Sequence, residues 1–416
     1  MRVAVLGAGY AGLTLARKLE RSLPDEADLV VVDERSDHLV QHELHRVVRR
    51  PSLADDITVE LESVLDCEVR RASVTDLDAD AGEATLAPAD GDEETLGYDV
   101  GAVCLGAETA FYDLPGVREH ATPLKRLDHA REIRADFLAL GDGDRVVVGG
   151  AGLSGVQVAG ELAALADEEG VDAEVLLLEQ LDAVAPSFPE SFQEAVHESL
   201  VDAGVTVRTG TGVAAAADGA MMLDSDEKLT YDQFVWTGGI RGPSALDDER
   251  PVVRADLRLG ESTFAIGDAA RVVDSNGEGV PASASAAIRE ASVAAENVEA
   301  LVEHRLDRED GAFEPRLTQY RFEVPGWLVS VGDDAVAKVG PTILTGRAAL
   351  ALKTTVGAGY LGSVGARKNA SDLVREELGI DVSGGNATDD LTDDLTEELP
   401  DDVVDAAESD DRRDGT

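Results

Sequence analysis

The sequence predicts an α/β protein with two domains, each built on a parallel sheet covered by helices. Three observations predict this class: a glycine-rich strand-turn-helix pattern at residues 3–19, a near repeat of it at residues 146–162, and an apolar strand that ends in an acid after each copy. The chain has 416 residues, of which 44% are hydrophobic, so it is long enough for two or three domains with buried cores.

The first copy opens the chain. An apolar strand at Val3–Leu6 precedes the turn GAGYAG at residues 7–12 and a helix that runs through Arg21. A second apolar strand, Leu29–Val32, ends at Asp33, about 20 residues after the turn. In a dinucleotide-binding fold the first glycine makes a tight turn, the second lets a phosphate approach the backbone, and the third lets helix and strand pack closely, while the acid binds ribose hydroxyls. One such element alone is weak evidence, because glycine-rich turns often bind nothing.

The second copy repeats every part. The strand Val146–Val148 precedes the turn GAGLSG at residues 150–155, a helix, the strand Val175–Leu178 and then Glu179. A duplication kept only for packing is the weaker explanation, since two independent accidents in the same context are improbable. Two Rossmann-like domains that hold a nicotinamide against a flavin explain the repeat better, because hydride passes directly between the two rings.

Five further segments resemble type II NADH dehydrogenases, which belong to the flavoprotein superfamily with two dinucleotide-binding domains. The segments are "LVVVDERSDHLVQHELH" (29–45), "YDVGAVCLGAET" (98–109), "LPGVREHATPLKRLDHAREIR" (114–134), "FVWTGGIRG" (234–242) and "TFAIGDAARV" (263–272). The similarity covers roughly residues 1–300. The Gly267–Asp268 pair is its more specific part, because in that family this aspartate binds the ribityl chain of FAD.

The resemblance implies a split FAD-binding domain, residues 1–112 and 243–305, with an NADH-binding domain of residues 113–242 inserted between its halves. It implies that FAD is held by Gly7, Gly9, Gly12, Asp33, Gly106, Gly267 and Asp268, and that NADH is held by Gly150, Gly152, Gly155, Glu179 and Gly239. Glu179 is followed along the chain by Gln180 and Leu181, with no arginine to accept a 2′-phosphate, so we expect NADH to be preferred to NADPH.

Departures from the family pattern leave the electron acceptor open. The family carries glutamate in "GVELAG" close to the nicotinamide, whereas this chain has Gln157 in "GVQVAG". On the quinone side, Ser285 and Arg289 stand where the family has glutamines. The resemblance therefore predicts an FAD-dependent NADH:quinone oxidoreductase that pumps no protons, with a soluble NAD(P)H:acceptor flavoprotein reductase and a non-catalytic flavin-binding redox sensor as alternatives.

Two other chemistries find little support in the sequence. Cys67 and Cys104 have no CxxC spacing, so we interpret both as structural and expect neither disulfide-reductase nor sulfide:quinone reductase chemistry. His38, His42 and His45 lie within eight residues, but no carboxylate-rich set completes a site, and no metal is expected.

The net charge and the N-terminal segment indicate which partners and which compartment to expect. The net charge of -48 makes nucleic acid an improbable partner, and the composition resembles that of halophilic archaeal proteins. No basic segment followed by an apolar one precedes the first strand, so no signal peptide is expected. We expect a cytoplasmic protein, peripheral on the inner face of the cell membrane; whether it forms a homodimer is left open.

The C-terminal region, residues 306–381, contains the chain's one basic stretch. No acidic residue occurs over 335–371, and 343–365 is apolar with two basic residues, a pattern suited to an anionic membrane surface. The alternative is a helix or hairpin packed on the FAD-binding domain, although four glycines between 357 and 365 argue against a long helix. Residues 382–416 are predicted to be an acidic disordered tail.

Overall fold

The computed structural model describes residues 1–307, 313–324 and 326–378. The predicted acidic tail, 382–416, lies outside the described residues. The strands are β1 Arg2–Leu6, β2 Asp28–Asp33, β3 Asp37–Leu39, β4 Thr58–Glu60, β5 Glu68–Asp78, β6 Glu83–Pro88, β7 Glu94–Gly97, β8 Val100–Val103, β9 Glu108–Thr109, β10 Thr122–Pro123, β11 Arg145–Gly149, β12 Glu174–Leu178, β13 Thr206–Arg208, β14 Val213–Ala217, β15 Ala220–Leu223, β16 Lys228–Thr230, β17 Gln233–Trp236, β18 Ile240–Arg241, β19 Val252–Val253, β20 Thr263–Ala265, β21 Arg271–Val272, β22 Gly326–Val331, β23 Asp334–Val339 and β24 Thr342–Thr345. The α-helices are α1 Tyr10–Ser22, α2 Leu44–Arg49, α3 Leu53–Asp56, α4 Leu61–Val64, α5 Val117–His120, α6 Leu127–Phe137, α7 Leu153–Glu169, α8 Glu190–Asp202, α9 Ala284–Leu306, α10 Arg347–Ser363 and α11 Arg367–Leu378.

The chain forms two compact units, each assembled from separate segments. The first unit consists of residues 1–42, 57–110 and 239–323, and the second of residues 43–56, 111–238 and those after 323. The predicted α/β class with Rossmann-like parallel sheets is confirmed by the strand pairing in both units.

The first unit contains a seven-stranded sheet in the order β20-β8-β1-β2-β5-β6-β7. The strands from β20 to β5 are parallel, and β6 and β7 extend this core as an antiparallel edge. The strand order reverses beside β1, between β2 and β8. In open α/β sheets, ligands bind beyond the carboxyl ends of the strands at such a reversal. The first glycine turn follows β1 directly, at that edge.

The second unit repeats this plan on a five-stranded parallel sheet in the order β10-β17-β11-β12-β13. The second glycine turn follows β11, and the strand order again reverses beside that strand. An aromatic and aliphatic core packs against this sheet and the antiparallel sheet β14-β15-β16; it includes Phe234, Trp236 and Tyr231.

One expectation for the C-terminal region is wrong: its glycines do not prevent a helix. The helix α10 runs through Gly357, Gly359 and Gly362 and ends just before Gly365. Each interior glycine costs about 1 kcal/mol of helix propensity. Burial of Ala349, Tyr360, Leu361 and other α10 side chains offsets that cost, because the helix packs within the second unit against β23 and α11.

Candidate functional site

In the first glycine turn, a side chain would clash with the backbone at Gly12 but would have free space at Gly9. Gly7 has φ +100°, and its N–H donates to Val32 O at 2.7 Å. A Cβ added at Gly12 would lie 1.8 Å from Gly7 O, so only glycine allows α1 to start this close to β1. A Cβ added at Gly9 would meet no heavy atom within 4 Å. The backbone is therefore open at the position where a phosphate would approach.

The second turn reproduces the first closely. Gly150 has φ +97°, and its N–H donates to Leu178 O at 2.8 Å. A Cβ added at Gly155 would lie 1.8 Å from Gly150 O, whereas one added at Gly152 would meet nothing within 4 Å. Thr237 strengthens this turn, because its hydroxyl donates to Gly150 O at 2.9 Å.

Each turn is held by the acid that ends the next strand. Asp33 accepts hydrogen bonds from Ala8 N at 2.6 Å and from Arg35 N at 2.8 Å. Burial raises the pKa of the Asp33 carboxyl above its ordinary value, and the two backbone donors oppose that rise.

Glu179 makes the equivalent pair of bonds in the second unit. Its carboxylate accepts from Ala151 N at 2.8 Å and from Leu181 N at 2.9 Å, and the residue is only 6% exposed. Sequence reasoning missed an arginine near it, because Arg208 lies on the neighbouring strand, where its carbonyl accepts the Glu179 N–H. The Arg208 guanidinium pairs with Glu227 through two bonds of 3.0 and 2.8 Å.

The predicted Gly267–Asp268 motif lies in the first unit, one residue after the end of β20. Gly267 has φ +66°, and a Cβ there would approach Ala11 Cβ to 3.1 Å and Ala287 Cβ to 3.5 Å. The first turns of α1 and α9 therefore converge on this turn. Arg250 fixes it by donating to Asp268 O and Ala270 O, both at 2.7 Å.

A buried carboxylate, Glu290, lies behind the same turn. It is 2% exposed, and its Oε2 accepts the Gly267 N–H at 2.6 Å. Burial raises the pKa of Glu290 to about 7, and the neighbouring Asp268 adds to the rise, while the Gly267 bond and Arg250 oppose it.

The second unit contains a network of buried charges around the short helix α2. Arg46 Nη1 lies 3.0 Å from Glu43 Oε2, and Lys353 Nζ lies 3.1 Å from the same oxygen. Arg46 also pairs with Glu376 on α11. Ion pairs thus join the region of α2 to α10 and α11, some three hundred residues away in the sequence.

Helix α7 contributes a third carboxylate to this network. Glu161 lies 3.6 Å from Arg49 Nη1 and 4.0 Å from His45 Nε2, which is 2.8 Å from Ser330 Oγ. Burial raises the pKa of Glu161 to about 7, and Arg49, then Lys353, oppose the rise.

The remaining predicted site residues have these positions. Gln157 on α7 and Ser285 and Arg289 on α9 are half-buried. Gly106, in the first unit, has φ +69° and open space at its Cβ position. Gly239 also lies in the first unit, where its carbonyl accepts the Ala110 N–H at 3.0 Å.

The cysteines and histidines have local partners. Cys67 and Cys104 are free thiols, and burial raises the pKa of Cys67 to about 12 and that of Cys104 further. His38 Nδ1 lies 3.0 Å from Ala8 O, and burial lowers its pKa to about 4, so the ring is neutral at pH 7. His42 Nδ1 bonds the Tyr10 hydroxyl.

Comparison with known proteins agrees with this geometry. Residues 1–291 match the pyridine nucleotide-disulphide oxidoreductase family. The chain belongs to this family. A curated relative is the type II NADH:quinone oxidoreductase of Staphylococcus aureus, 26% identical over 336 residues, which cover 72% of this chain and 82% of the relative. The predicted resemblance to type II NADH dehydrogenases is thereby confirmed, and the chain is an enzyme of that type with FAD as cofactor and NADH as substrate.

Solved structures share the fold across most of the chain. NDH2 from Plasmodium falciparum in complex with NADH has a TM-score of 0.76 at 16% identity, with 91% of this chain and 98% of that chain covered. The sulfide:quinone oxidoreductase of Aquifex aeolicus has a TM-score of 0.72 at 15% identity, with 90% and 92% covered. Among the described residues, no helix combines the length and the apolar character that crossing a bilayer requires.

Sequence reasoning missed the buried charged residues, although helical spacing contains a signal for two of them. Glu290 occurs at the spacing of the buried Ala286, Ala287, Ala291 and Ala294 on α9. Glu161 falls among buried apolar residues of α7 in the same way. An acidic residue that falls on the apolar face of a helix therefore predicts a buried ionisable group from the sequence alone.

Proposed function

We propose that this protein is an FAD-dependent NADH:quinone oxidoreductase. One observation carries the proposal: two glycine turns of near-identical geometry, each tied to an acid by a backbone N–H bond, occur in separate units. A flavoprotein that takes hydride from a nicotinamide needs two dinucleotide sites, whereas a one-nucleotide enzyme needs a single site. The Staphylococcus aureus relative is named for this activity.

The residues of the first unit fit FAD. The open space at Gly9 suits a pyrophosphate; Asp33 would bind a ribose, and Asp268 would bind the ribityl chain. FAD, when bound, supplies the capacity to take two electrons as hydride and release them to an acceptor. The protein supplies the binding and the orientation: Arg250 and Glu290 hold the Gly267–Asp268 turn in place from two sides.

The residues of the second unit fit NADH. Gly152 leaves the backbone open to a pyrophosphate, and Glu179 presents a carboxylate to the ribose hydroxyls. The predicted domain boundaries and the roles of Gln157, Gly239, Ser285 and Arg289 belong to this proposal. Gln157 has no ionisable group, so it orients the nicotinamide but holds no proton.

The test is the visible spectrum of the purified protein before and after anaerobic NADH, with NADPH as the comparison. We expect a bound flavin that NADH bleaches, that NADPH bleaches far more slowly, and that a short-chain quinone reoxidises within the turnover time. A bleached flavin that only a protein or another small molecule reoxidises would favour the soluble reductase instead, in line with Ser285 and Arg289 replacing glutamines. A flavin that stays oxidised would favour the redox sensor.

We further propose that residues 335–371 bind an anionic membrane surface, where quinone is found. Arg347, Arg367 and Lys368 are exposed on this stretch, which contains no acidic residue in an otherwise acidic chain. Replacing all three with glutamate is expected to weaken binding to phosphatidylglycerol vesicles at least roughly tenfold, because each basic residue near such a surface contributes about 1 kcal/mol.

Vesicle co-sedimentation at moderate salt measures that change. The matched control replaces Lys18, Arg21 and Lys228, three exposed basic residues outside the stretch, with glutamate. If both triple variants bound vesicles equally weakly, the change in net charge alone would explain the loss of binding. That result would refute a specific membrane-binding surface at 335–371.

A further inference from the structure

The proposed reaction needs a proton that its hydride does not bring. Reduction of a quinone by NADH follows NADH + H⁺ + quinone → NAD⁺ + quinol. Two electrons and one proton arrive as hydride, and the second proton comes from water. A group that holds this proton must be ionisable near neutral pH and lie close to the electron-transfer site. Gln157, which the resemblance puts close to the nicotinamide, has no such group.

Glu290 is a buried ionisable group beside the Gly267–Asp268 motif, which the resemblance assigns to FAD binding. With Arg250, Gly267, Asp268 and Ser283 it lines a small cavity in the first unit. One carboxyl oxygen, Oε2, is taken by the Gly267 N–H at 2.6 Å, and the residue next to it along α9 is Arg289, on the predicted quinone side. The carboxyl is thus bonded to the Gly267–Asp268 motif at a cavity that both line.

The charges around Glu290 allow it to change protonation state near pH 7. Asp268 favours the protonated form and Arg250 the ionised form, and the residue is 2% exposed. Two further proton-bearing groups lie within its electrostatic reach, the Cys104 thiol after β8 and the Tyr320 hydroxyl. Tyr320 Oη is buried and has no hydrogen-bond partner among the residues that the structure describes.

We propose that Glu290 holds the proton that quinone reduction takes from water. The inference rests on the function proposed above. In the ionised state the carboxylate takes one proton from water; when the acceptor is reduced, the carboxyl O–H bond is broken and the proton becomes the second hydroxyl proton of the quinol. Negative charge added near the cavity by incoming electrons strengthens proton binding, so electron arrival and proton uptake are coupled.

The Glu290→Gln variant tests this directly. The amide keeps an oxygen that accepts the Gly267 N–H, but it cannot hold and release the proton. We expect the ratio of quinone to ferricyanide turnover with NADH to fall by about tenfold or more at pH 7, because ferricyanide takes electrons without protons. In the protein with Glu290, quinone turnover is expected to decline as pH rises above about 7, where the carboxyl loses its proton; the variant lacks this decline.

Two readouts separate this role from a structural one. Anaerobic NADH added to the FAD-loaded protein with a pH-indicator dye is expected to cause more proton uptake in the unmodified protein than in Glu290→Gln, by the share that the carboxylate takes. Infrared titration of the protein without NADH is expected to lose one protonated-carboxyl band near pH 7 in the variant, while the Glu161 band remains. Glu296→Gln, at an exposed position on the same helix, is the matched control and is expected to change none of these readouts.

The outcomes are distinct. An unchanged quinone-to-ferricyanide ratio, or an equal loss of both activities with normal proton uptake, would overturn the role of Glu290 and leave the proposed function standing. Absence of quinone turnover in the unmodified protein, with ferricyanide turnover intact, would overturn the proposed function and the role of Glu290 together.

Discussion

Gly12→Ala is expected to yield a protein without FAD, and Gly155→Ala is expected to retain FAD but to lose reduction by NADH. In each case the new Cβ would lie 1.8 Å from the carbonyl oxygen of the first glycine of the turn, less than a van der Waals contact, so the helix must move away from the strand. Such overpacking typically costs about 1–3 kcal/mol, and it displaces the N–H groups that face the pyrophosphate. That cost alone corresponds to a loss of affinity of roughly fivefold to a hundredfold for the nucleotide of that unit, and the lost contacts to the displaced N–H groups add to it.

The flavin-to-protein absorbance ratio measures the first effect, and anaerobic bleaching by NADH measures the second. Gly97→Ala is the matched control, because its Cβ would meet no atom within 4 Å and its residue lies on an exposed strand. Thermal unfolding of all three variants separates loss of ligand from loss of fold. If Gly155→Ala lost FAD while Gly12→Ala kept it, the assignment of the two nucleotides to the two units would be reversed.

The parts of the fold near the two turns were predictable because their causes are local. Each tight turn requires glycine at fixed spacing, and each buried parallel strand is a short apolar run. The predicted strand Val3–Leu6 is Arg2–Leu6 in the structure, and Val175–Leu178 is Glu174–Leu178. Differences of one residue at strand ends are what frayed pairing produces, since end residues pair on one side only.

The buried ionic residues were not predictable in the same way because their partners are distant in sequence. His45 meets Ser330, and Glu43 meets Lys353, across some three hundred residues of chain. A buried charge is stable only when its partner is present. The sequence around one member of such a pair does not show where the other member is. Helix α10 was not predictable for the same reason. The cost of its glycines is offset by packing against β23 and α11, which the local sequence does not show.

Arg208 illustrates the limit at the nucleotide site itself. No arginine directly follows Glu179 along the chain, but parallel pairing of β12 with β13 places Arg208 beside Leu178. The Arg208 guanidinium makes two bonds to Glu227. We therefore expect cofactor preference to depend on this contact between strands as well as on the acid that the motif predicts.

Glu179→Gln is expected to lower kcat/KM for NADH by roughly tenfold to a hundredfold and to raise the relative use of NADPH. The carboxylate accepts bonds from Ala151 N and Leu181 N, and an amide can accept only one of them while its NH₂ faces the other donor. Hydrogen bonds to a charged group contribute about 1.5–3 kcal/mol each, which corresponds to the stated range. The lost negative charge also removes repulsion of a 2′-phosphate.

Steady-state kinetics with both nucleotides and ferricyanide as acceptor measure this change without involving the quinone side. Glu174→Gln, at the exposed start of the same strand, is the control, because its partner Arg145 lies at the opposite end of the sheet from the turn. FAD content should be equal in all three proteins, since Glu179 belongs to the second unit. An unchanged ratio of NADPH to NADH use in Glu179→Gln would mean that the acid supports only its own turn, and that the Arg208–Glu227 pair sets the preference.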